Sequence, residues 1–318
     1  MARRDPEAGS LFLIDAAFAD STNKKYIAAA SAFSLWLTQR ELDPESPDGF
    51  DRVLTIYFHH LYRTGQGKSK AACTLNGVLS VMPQLRQHFP LSRLALRGWN
   101  RLVPVRSYPP LTIELTFCIA LNFIHSHLHR AAIATLLAFD CFLRINEFLN
   151  LRRDDIADAK DSRISSTTAQ MTVRLRHTKT GHNQSVIVRN PIVIFLVRSL
   201  ISKLPPTSQQ RLFPYSDQQY RKLFHSACAG LGLSSEYVPH SLRHGGATYC
   251  FILGMPMEDV LTRGRWASSK SARRYIQAGR ALAMNMHVPK RLLPLPTESD
   301  FLHYYADALR RSRSSDTA

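Results

Sequence analysis

The sequence predicts a mainly α-helical protein that carries one small antiparallel β-sheet and divides into two domains. Three observations predict it. Apolar residues recur every three or four positions over most of the chain, two short alternating runs flank a turn between 171 and 188, and a stretch with three prolines (98–110) interrupts the helical pattern. With 318 residues, 45% of them apolar, the chain can bury about two cores at roughly 100–200 residues per domain.

Each element has its own signal. Tyr26, Ala29, Ala30, Phe33 and Leu37 form a first helical stripe, Leu54, Tyr57, Phe58 and Leu61 a second, and Leu75, Val78, Leu79, Met82 and Leu85 a third. Together they predict a helical bundle over residues 1–97. Lys24, Lys25, Lys68 and Lys70 lie between the stripes and are the candidates there for contact with a nucleic-acid backbone. Residues 98–110 (GWNRLVPVRSYPP) read as an interdomain linker whose Arg101 and Arg106 suit a strap along phosphates. A helical region follows from Thr112 to Leu151. Met171, Val173 and Leu175, the turn Thr180-Gly181-His182-Asn183, and Val186 and Val188 then spell a hairpin. Helical text resumes after Pro214, with Ser216 or Asp217 as N-cap, and a main domain over 111–285 is expected. Residues 286–318 read as a Pro-bearing tether and an amphipathic helix with Phe301, Leu302, Tyr305, Ala306 and Leu309 on one face. That helix would dock on its own core or on a neighbouring subunit.

Charge narrows the function. Lys and Arg number 41 against 24 Asp and Glu, a formal charge of +17, so a polyanion and foremost DNA is the expected partner. Residues 109–285 hold 22 basic and 11 acidic side chains, against 14 and 9 before them and 5 and 4 after. The chemistry is therefore expected in the middle segment. The longest nearly apolar stretch, Ala131–Leu143, contains Asp140 and is shorter than the ~20 residues a bilayer needs, so no membrane association is expected. The N-terminus lacks the apolar run of a secretory signal. Cys73, Cys118, Cys141, Cys228 and Cys250 are odd in number and widely spaced, which fits an intracellular setting and small buried apolar roles.

Two apparent motifs fail on physical grounds. Thr64-Gly65-Gln66-Gly67-Lys68-Ser69 resembles a phosphate loop, but the first glycine of that pattern is replaced by Tyr62. His125, His127 and His129 alternate, a spacing that scatters ligands around a helix, and the region reads as helical.

Four segments remain. Phe142-Leu143-Arg144-Ile145-Asn146-Glu147 places an Arg and a Glu one helical turn apart, which alone is an i,i+3 ion pair. His177-Thr178-Lys179-Thr180-Gly181 puts a lysine at the hairpin tip. Pro239-His240-Ser241-Leu242-Arg243-His244 opens a helix with His240 and Arg243 on one face, near N–H groups that favour an anion. Gly264-Arg265-Trp266 precedes Tyr275 by nine residues, counted from the Trp.

In this order the set Arg144, Lys179, His240-x-x-Arg243, Trp266, Tyr275 resembles the active site of the tyrosine recombinase (phage integrase-like) family. The likeness covers about 109–285, and the preceding helical region with its basic linker resembles the family's core-binding domain. It implies a two-domain tyrosine recombinase architecture and a site-specific DNA recombinase or integrase that acts through a 3′-phosphotyrosine. It also implies Tyr275 as nucleophile, Arg144 and Arg243 as the phosphate clamp, Lys179 as general acid and His240 as proton acceptor. Glu147 would hold Arg144 in place, and His244 has a supporting place in the motif. Trp266 stands where most members have His; its indole N–H can donate a hydrogen bond but cannot shuttle a proton. No metal, ATP or other small-molecule cofactor is implied. The partners implied are double-stranded DNA and a homo-tetramer on that DNA, in the nucleus, nucleoid or cytoplasm according to host. Two alternatives stay open at this point: a DNA-binding protein of the same fold without activity, and a type IB topoisomerase.

Overall fold

The computed structural model describes residues 17–104, 107–158, 170–178 and 181–315. The chain divides between Arg106 and Ser107 into two compact units. In the first, α1 (Asp20–Thr38), α2 (Pro47–Arg63), α3 (Lys68–Val81) and α4 (Pro90–Leu102) close around Phe33, Trp36, Leu54, Tyr57, Phe58, Leu75 and Phe89. α3 rests directly on α1: a Cβ on Gly77 would lie 2.4 Å from the Tyr26 carbonyl oxygen, so only glycine allows this approach. The buried Asp51 of α2 accepts the backbone N–H groups of Leu91 (2.8 Å) and Ser92 (2.9 Å), which satisfies donors in the first turn of α4 from a distant helix.

α4 corrects the expected linker. It continues through Gly98, Trp99, Asn100 and Arg101, because Trp99 follows Ser92, Ala95 and Leu96 onto the buried face and meets Tyr62 edge-on at 5.2 Å. Burying an indole outweighs the modest helix penalty of Gly98.

The second unit opens with α5 (Ile113–His125) and α6 (His129–Asp140). The helical region expected from Thr112 to Leu151 comprises more than one helix. Ser126–Leu128 forms a turn with His127 at φ 58°, so His125, His127 and His129 occupy a helix end, a turn and a helix start. Next come the short α7 (Ile145–Leu149) and a three-stranded antiparallel sheet in sequence order: β1 (Ile156–Ala157), β2 (Thr172–Thr178) and β3 (Gly181–Ile187). The hairpin register pairs Val173 with Val186 and Thr178 with Gly181, and the edge strand β1 was not signalled in sequence because two residues carry no period. Then follow α8 (Pro191–Ile201), α9 (Asp217–Leu231), α10 (Pro239–Ile252), α11 (Met257–Gly264), α12 (Ser269–Arg273), α13 (Ala278–Asn285) and α14 (Glu298–Ser315). Of the two candidate caps for α9, Ser216 is the N-cap and accepts from Gln219 N at 3.1 Å.

α14 docks on its own unit. Phe301 is fully buried and stacks on Phe117 of α5 at 5.0 Å, and Tyr305 is buried beside it. Cys118, Cys141 and Cys228 are buried as expected, whereas Cys73 and Cys250 are half-buried. Among the described residues no helix is long and apolar enough to cross a membrane.

α10 runs through the centre of the unit, and two glycines let it. A Cβ on Gly245 would lie 2.1 Å from the Leu111 carbonyl oxygen, and one on Gly246 would lie 2.0 Å from the Phe139 carbonyl oxygen and 2.7 Å from the Phe142 ring. Gly246→Ala should therefore force α10 off the C-terminal end of α6 and destabilise the unit by about 1–3 kcal/mol in denaturant unfolding of the full chain. A loss under about 0.5 kcal/mol, the range of ordinary surface changes, would contradict this packing.

Candidate active site

Three helix ends converge on α10. α6 ends at Asp140, and Phe142 just beyond it adopts φ 50°, a left-handed turn that redirects the chain into Arg144 and α7. α11 ends at Arg265, also left-handed (φ 55°, ψ 44°), which brings Trp266 back over α10. Tyr275 follows α12, and its carbonyl accepts the Thr248 hydroxyl at 3.0 Å, which ties the tyrosine segment to α10.

The centre of the site is the buried carboxylate of Glu147. Its Oε1 accepts Arg144 Nη1 at 2.6 Å, and its Oε2 accepts the Arg144 backbone N–H at 2.8 Å and Arg265 Nη2 at 2.9 Å. Arg243 Nη1 stands 4.0 Å from the same Oε2. The Arg144–Glu147 pair is thus part of a buried network, far from the exposed i,i+3 bridge that the spacing alone allows. Burial alone would raise the Glu147 carboxyl, but Arg265, the Arg144 N–H, Arg144 and Arg243 outweigh it and hold it below the usual carboxylate range.

Arg243 is fully buried, and it donates to the carbonyls of Phe142 and Gly264. Its guanidinium lies 4.6 Å from the Trp266 ring centroid and 5.3 Å from that of Tyr275. Burial, then Arg144 and Arg265, lower Arg243 to about 9, which leaves it charged at neutral pH. The Tyr275 ring lies 4.5 Å from His244, 4.7 Å from Trp266 and 5.5 Å from His240. Burial first, then Arg243 and Arg144, push His240 down to about 4. Burial, then His240 and Arg243, push His244 down to about 3. Both imidazoles are therefore neutral at pH 7, and each keeps one ring nitrogen as a hydrogen-bond acceptor. Gln277 Nε2 lies 3.3 Å from His244 Nδ1.

Three N–H groups here are buried without a partner among the described residues: Arg243 Nε, Arg265 Nε and Trp266 Nε1. An unpaired buried donor is unfavourable, and these gather beside three guanidinium groups and one carboxylate. The excess of positive charge and free donors suits an anion. A cleft of about 550 Å³ leads to the cluster, lined among others by Arg144, Glu147, Thr178, Arg221 and His240.

The structure thus brings together Arg144, Glu147, His240, Arg243, His244, Trp266 and Tyr275. Lys179 lies outside the described residues, although its neighbour Thr178 lines the cleft. Of the proposed DNA contacts, Lys24, Lys25, Lys70 and Arg101 are exposed on the first unit, and Lys68 is half-buried and donates to Asn100. Arg106 lies outside the described residues. No cluster of metal-ligating side chains occurs among the described residues.

Sequence reading missed several members. Arg265 is buried against Glu147, yet in sequence it is one cation in a run of them. Arg263 anchors the end of α11 by donating to the Asp140 carboxylate at 3.0 Å and to the Ile187 carbonyl at 2.7 Å. Arg174 and Arg176 share one face of β2, where Asp154 and Asp155 hold them, and an i,i+2 pair in the alternating segment was a signal that could have found them.

Residues 118–281, which are 164 of the 318 and include each of the six residues first singled out, match the phage integrase family. The chain belongs to that family. No curated protein matches this integrase-family chain in sequence. Solved structures share its fold. Lambda integrase bound as a dimer to a COC′ core site is 14% identical, covers 84% of this chain and 74% of its own, and has a TM-score of 0.58. XerH site-specific recombinase bound to difH is 13% identical over 85% and 77%, with a TM-score of 0.52. The integrase of transposon Tn1549 in complex with circular intermediate DNA is 15% identical over 73% and 84%, with a TM-score of 0.51.

The histidines give a direct check. Proton NMR titration of the DNA-free protein should place the midpoint of His240 near 4 and that of His244 near 3. Both values lie below the unfolded value of about 6.5, so the folded state binds fewer protons between them and stability should fall as pH drops from about 6.5 toward 4. Midpoints near 6.5 for either ring would contradict the burial described.

Proposed function

We propose that this phage integrase family member is a site-specific DNA recombinase that cleaves and rejoins strands through a 3′-phosphotyrosine at Tyr275. The observation that carries the reading is the packing of the Tyr275 ring against two neutral imidazoles and an indole, directly over the Arg243 guanidinium. A phenol, a proton acceptor and a guanidinium clamp in one cluster are the parts that transfer of a phosphodiester requires.

In this mechanism the Tyr275 oxygen attacks the phosphorus in line, the P–O bond to the 5′ oxygen breaks, and the strand stays joined through a phosphotyrosine. His240 accepts the phenol proton. Arg144 and Arg243 hold the two non-bridging oxygens, for which their planar donors suit better than an ammonium. Trp266 Nε1, buried without a partner, donates to a phosphate oxygen. Lys179 gives a proton to the departing 5′ oxygen. His244 supports the Tyr275 segment, and Glu147 orients the arginines. The bond energy is kept in the phosphotyrosine, so no ATP is consumed, and a 5′ hydroxyl from a second duplex reverses the step.

Double-stranded DNA is the partner that the charge of +17 and this chemistry call for. Lys24, Lys25, Lys68, Lys70, Arg101 and Arg106 are proposed to grip it from residues 1–106. Exchange between two duplexes requires four cleavages, and so four chains acting as a homo-tetramer on DNA.

The test is covalent trapping. The full chain is incubated with nicked duplexes carrying a randomised core, from which a short strand diffuses away after cleavage. Wild type should give a detergent-resistant protein–DNA adduct, and Tyr275→Phe should give none. An adduct in the Phe variant, or none with wild type, contradicts the reading. On the selected duplex, affinity should fall steeply with salt, by about 10³-fold or more between 50 and 200 mM for six or more phosphate contacts, and a flat response would contradict a DNA-gripping role for the basic surface.

A further inference from the structure

Arg265 is buried in the site. Arg265 sits in the left-handed region (φ 55°, ψ 44°), which favours glycine, yet it carries a long side chain whose charged end is turned wholly inward. There its Nη1 donates to the Arg263 carbonyl at 3.0 Å and the Cys141 carbonyl at 3.4 Å, and its Nη2 to the Phe142 carbonyl at 3.1 Å and Glu147 Oε2 at 2.9 Å. One of those acceptors is shared with Arg243 and another is the carboxylate oxygen that Arg243 approaches. Arg243 also donates to the Phe142 carbonyl, and its Nη1 stands 4.0 Å from the same Oε2.

We propose that Arg265 is a positioning residue which occupies Glu147 Oε2 and so keeps the Arg243 guanidinium from collapsing onto the carboxylate. The proposal rests on the reading that this site cleaves a phosphodiester. Glu147 has two oxygens and three arginines around it. Arg144 takes Oε1 with its side chain and part of Oε2 with its backbone N–H. If the remaining capacity of Oε2 were open, the nearest cation, Arg243, would close the gap and form a direct ion pair. Its charge would then be spent inside the protein and its fork turned from the place where a phosphate must sit. With Arg265 on that oxygen, three cations face one carboxylate and the pocket keeps a net positive charge for an incoming phosphate. This explains why a strained backbone position carries an arginine.

Arg265→Gly removes the side chain and suits the left-handed backbone, and Arg265→Lys keeps the charge without the fork. Each is compared with wild type and with Tyr275→Phe for affinity on the trapped duplex, for single-turnover formation of the adduct, and for melting temperature, with and without millimolar methylguanidinium. The expected result is affinity within about threefold of wild type and adduct formation slowed about tenfold or more in both variants, because misplacing a clamp by about an ångström costs on that scale. Methylguanidinium should restore the Gly variant and leave the Lys variant unchanged. Adduct formation within about twofold of wild type would overturn the proposal. So would losses of affinity and melting temperature that match the loss of rate with no rescue, since Arg265 would then be a prop for the Cys141–Phe142 turn and nothing more. Absence of adduct from wild type itself would overturn the cleavage reading, and this proposal with it.

Discussion

One buried carboxylate organises the site. Glu147 is 7% exposed and holds Arg144 and Arg265 directly, with Arg243 at 4.0 Å. A buried guanidinium without a counter-charge is strongly unfavourable, so neither Arg243 nor Arg265 could sit there alone, and with the half-buried Arg144 added the carboxylate is outnumbered. That imbalance leaves the cluster with a net positive charge. The depressed pKa values of His240 and His244 follow from burial and from the same positive charges.

The fold exists around that cluster in a specific way. α10 passes close enough to α6 to bring Arg243 beneath the chain end only because Gly245 and Gly246 have no side chains to collide with the Leu111 and Phe139 carbonyls. The left-handed turns at Phe142 and Arg265 then aim the Phe142 carbonyl and the Arg265 side chain at the same point. Arg263, tied to Asp140 and to Ile187, locks α11 against α6 and β3. Positions of this kind are held by surrounding structure rather than by local preference.

Much of this was legible in the sequence because it is carried by local pattern and by order along the chain. The helical stripes from Tyr26 to Leu79, the hairpin around 171–188 and the Ser216 cap follow from periodicity and capping chemistry, whereas Met82 and Leu85 of the third stripe lie beyond the end of α3 at Val81; Arg144, Arg243 and Tyr275 follow from the resemblance of their order and spacing to the tyrosine recombinase motif. What was not legible depends on contacts between distant segments. Trp99 turned a presumed linker into helix by finding Tyr62, and the two-residue β1 exists only because β2 pairs with it. Arg265 differs from Arg273 and Arg274 in nothing but its position in space. The choice between docking in cis and on a neighbour was likewise open for α14, since an amphipathic face does not say whose core it covers; here Phe117 of the same chain covers Phe301.

The charge of +17 resolves into parts with different work. A few cations are buried around Glu147, others such as Arg174 and Arg176 are neutralised by Asp154 and Asp155, and exposed ones such as Lys24, Lys25, Lys70 and Arg101 are available to a polyanion. Glu147 is proposed to act by orienting, through its charge, the arginines that would hold the phosphate. Glu147→Gln keeps the shape and removes the charge, and the decisive measurement is its rate of single-turnover adduct formation on the trapped duplex. Near-normal DNA affinity with a rate lower by about 10²-fold is expected for a misplaced clamp, whereas a rate within about twofold of wild type would show that the charge does not orient the arginines.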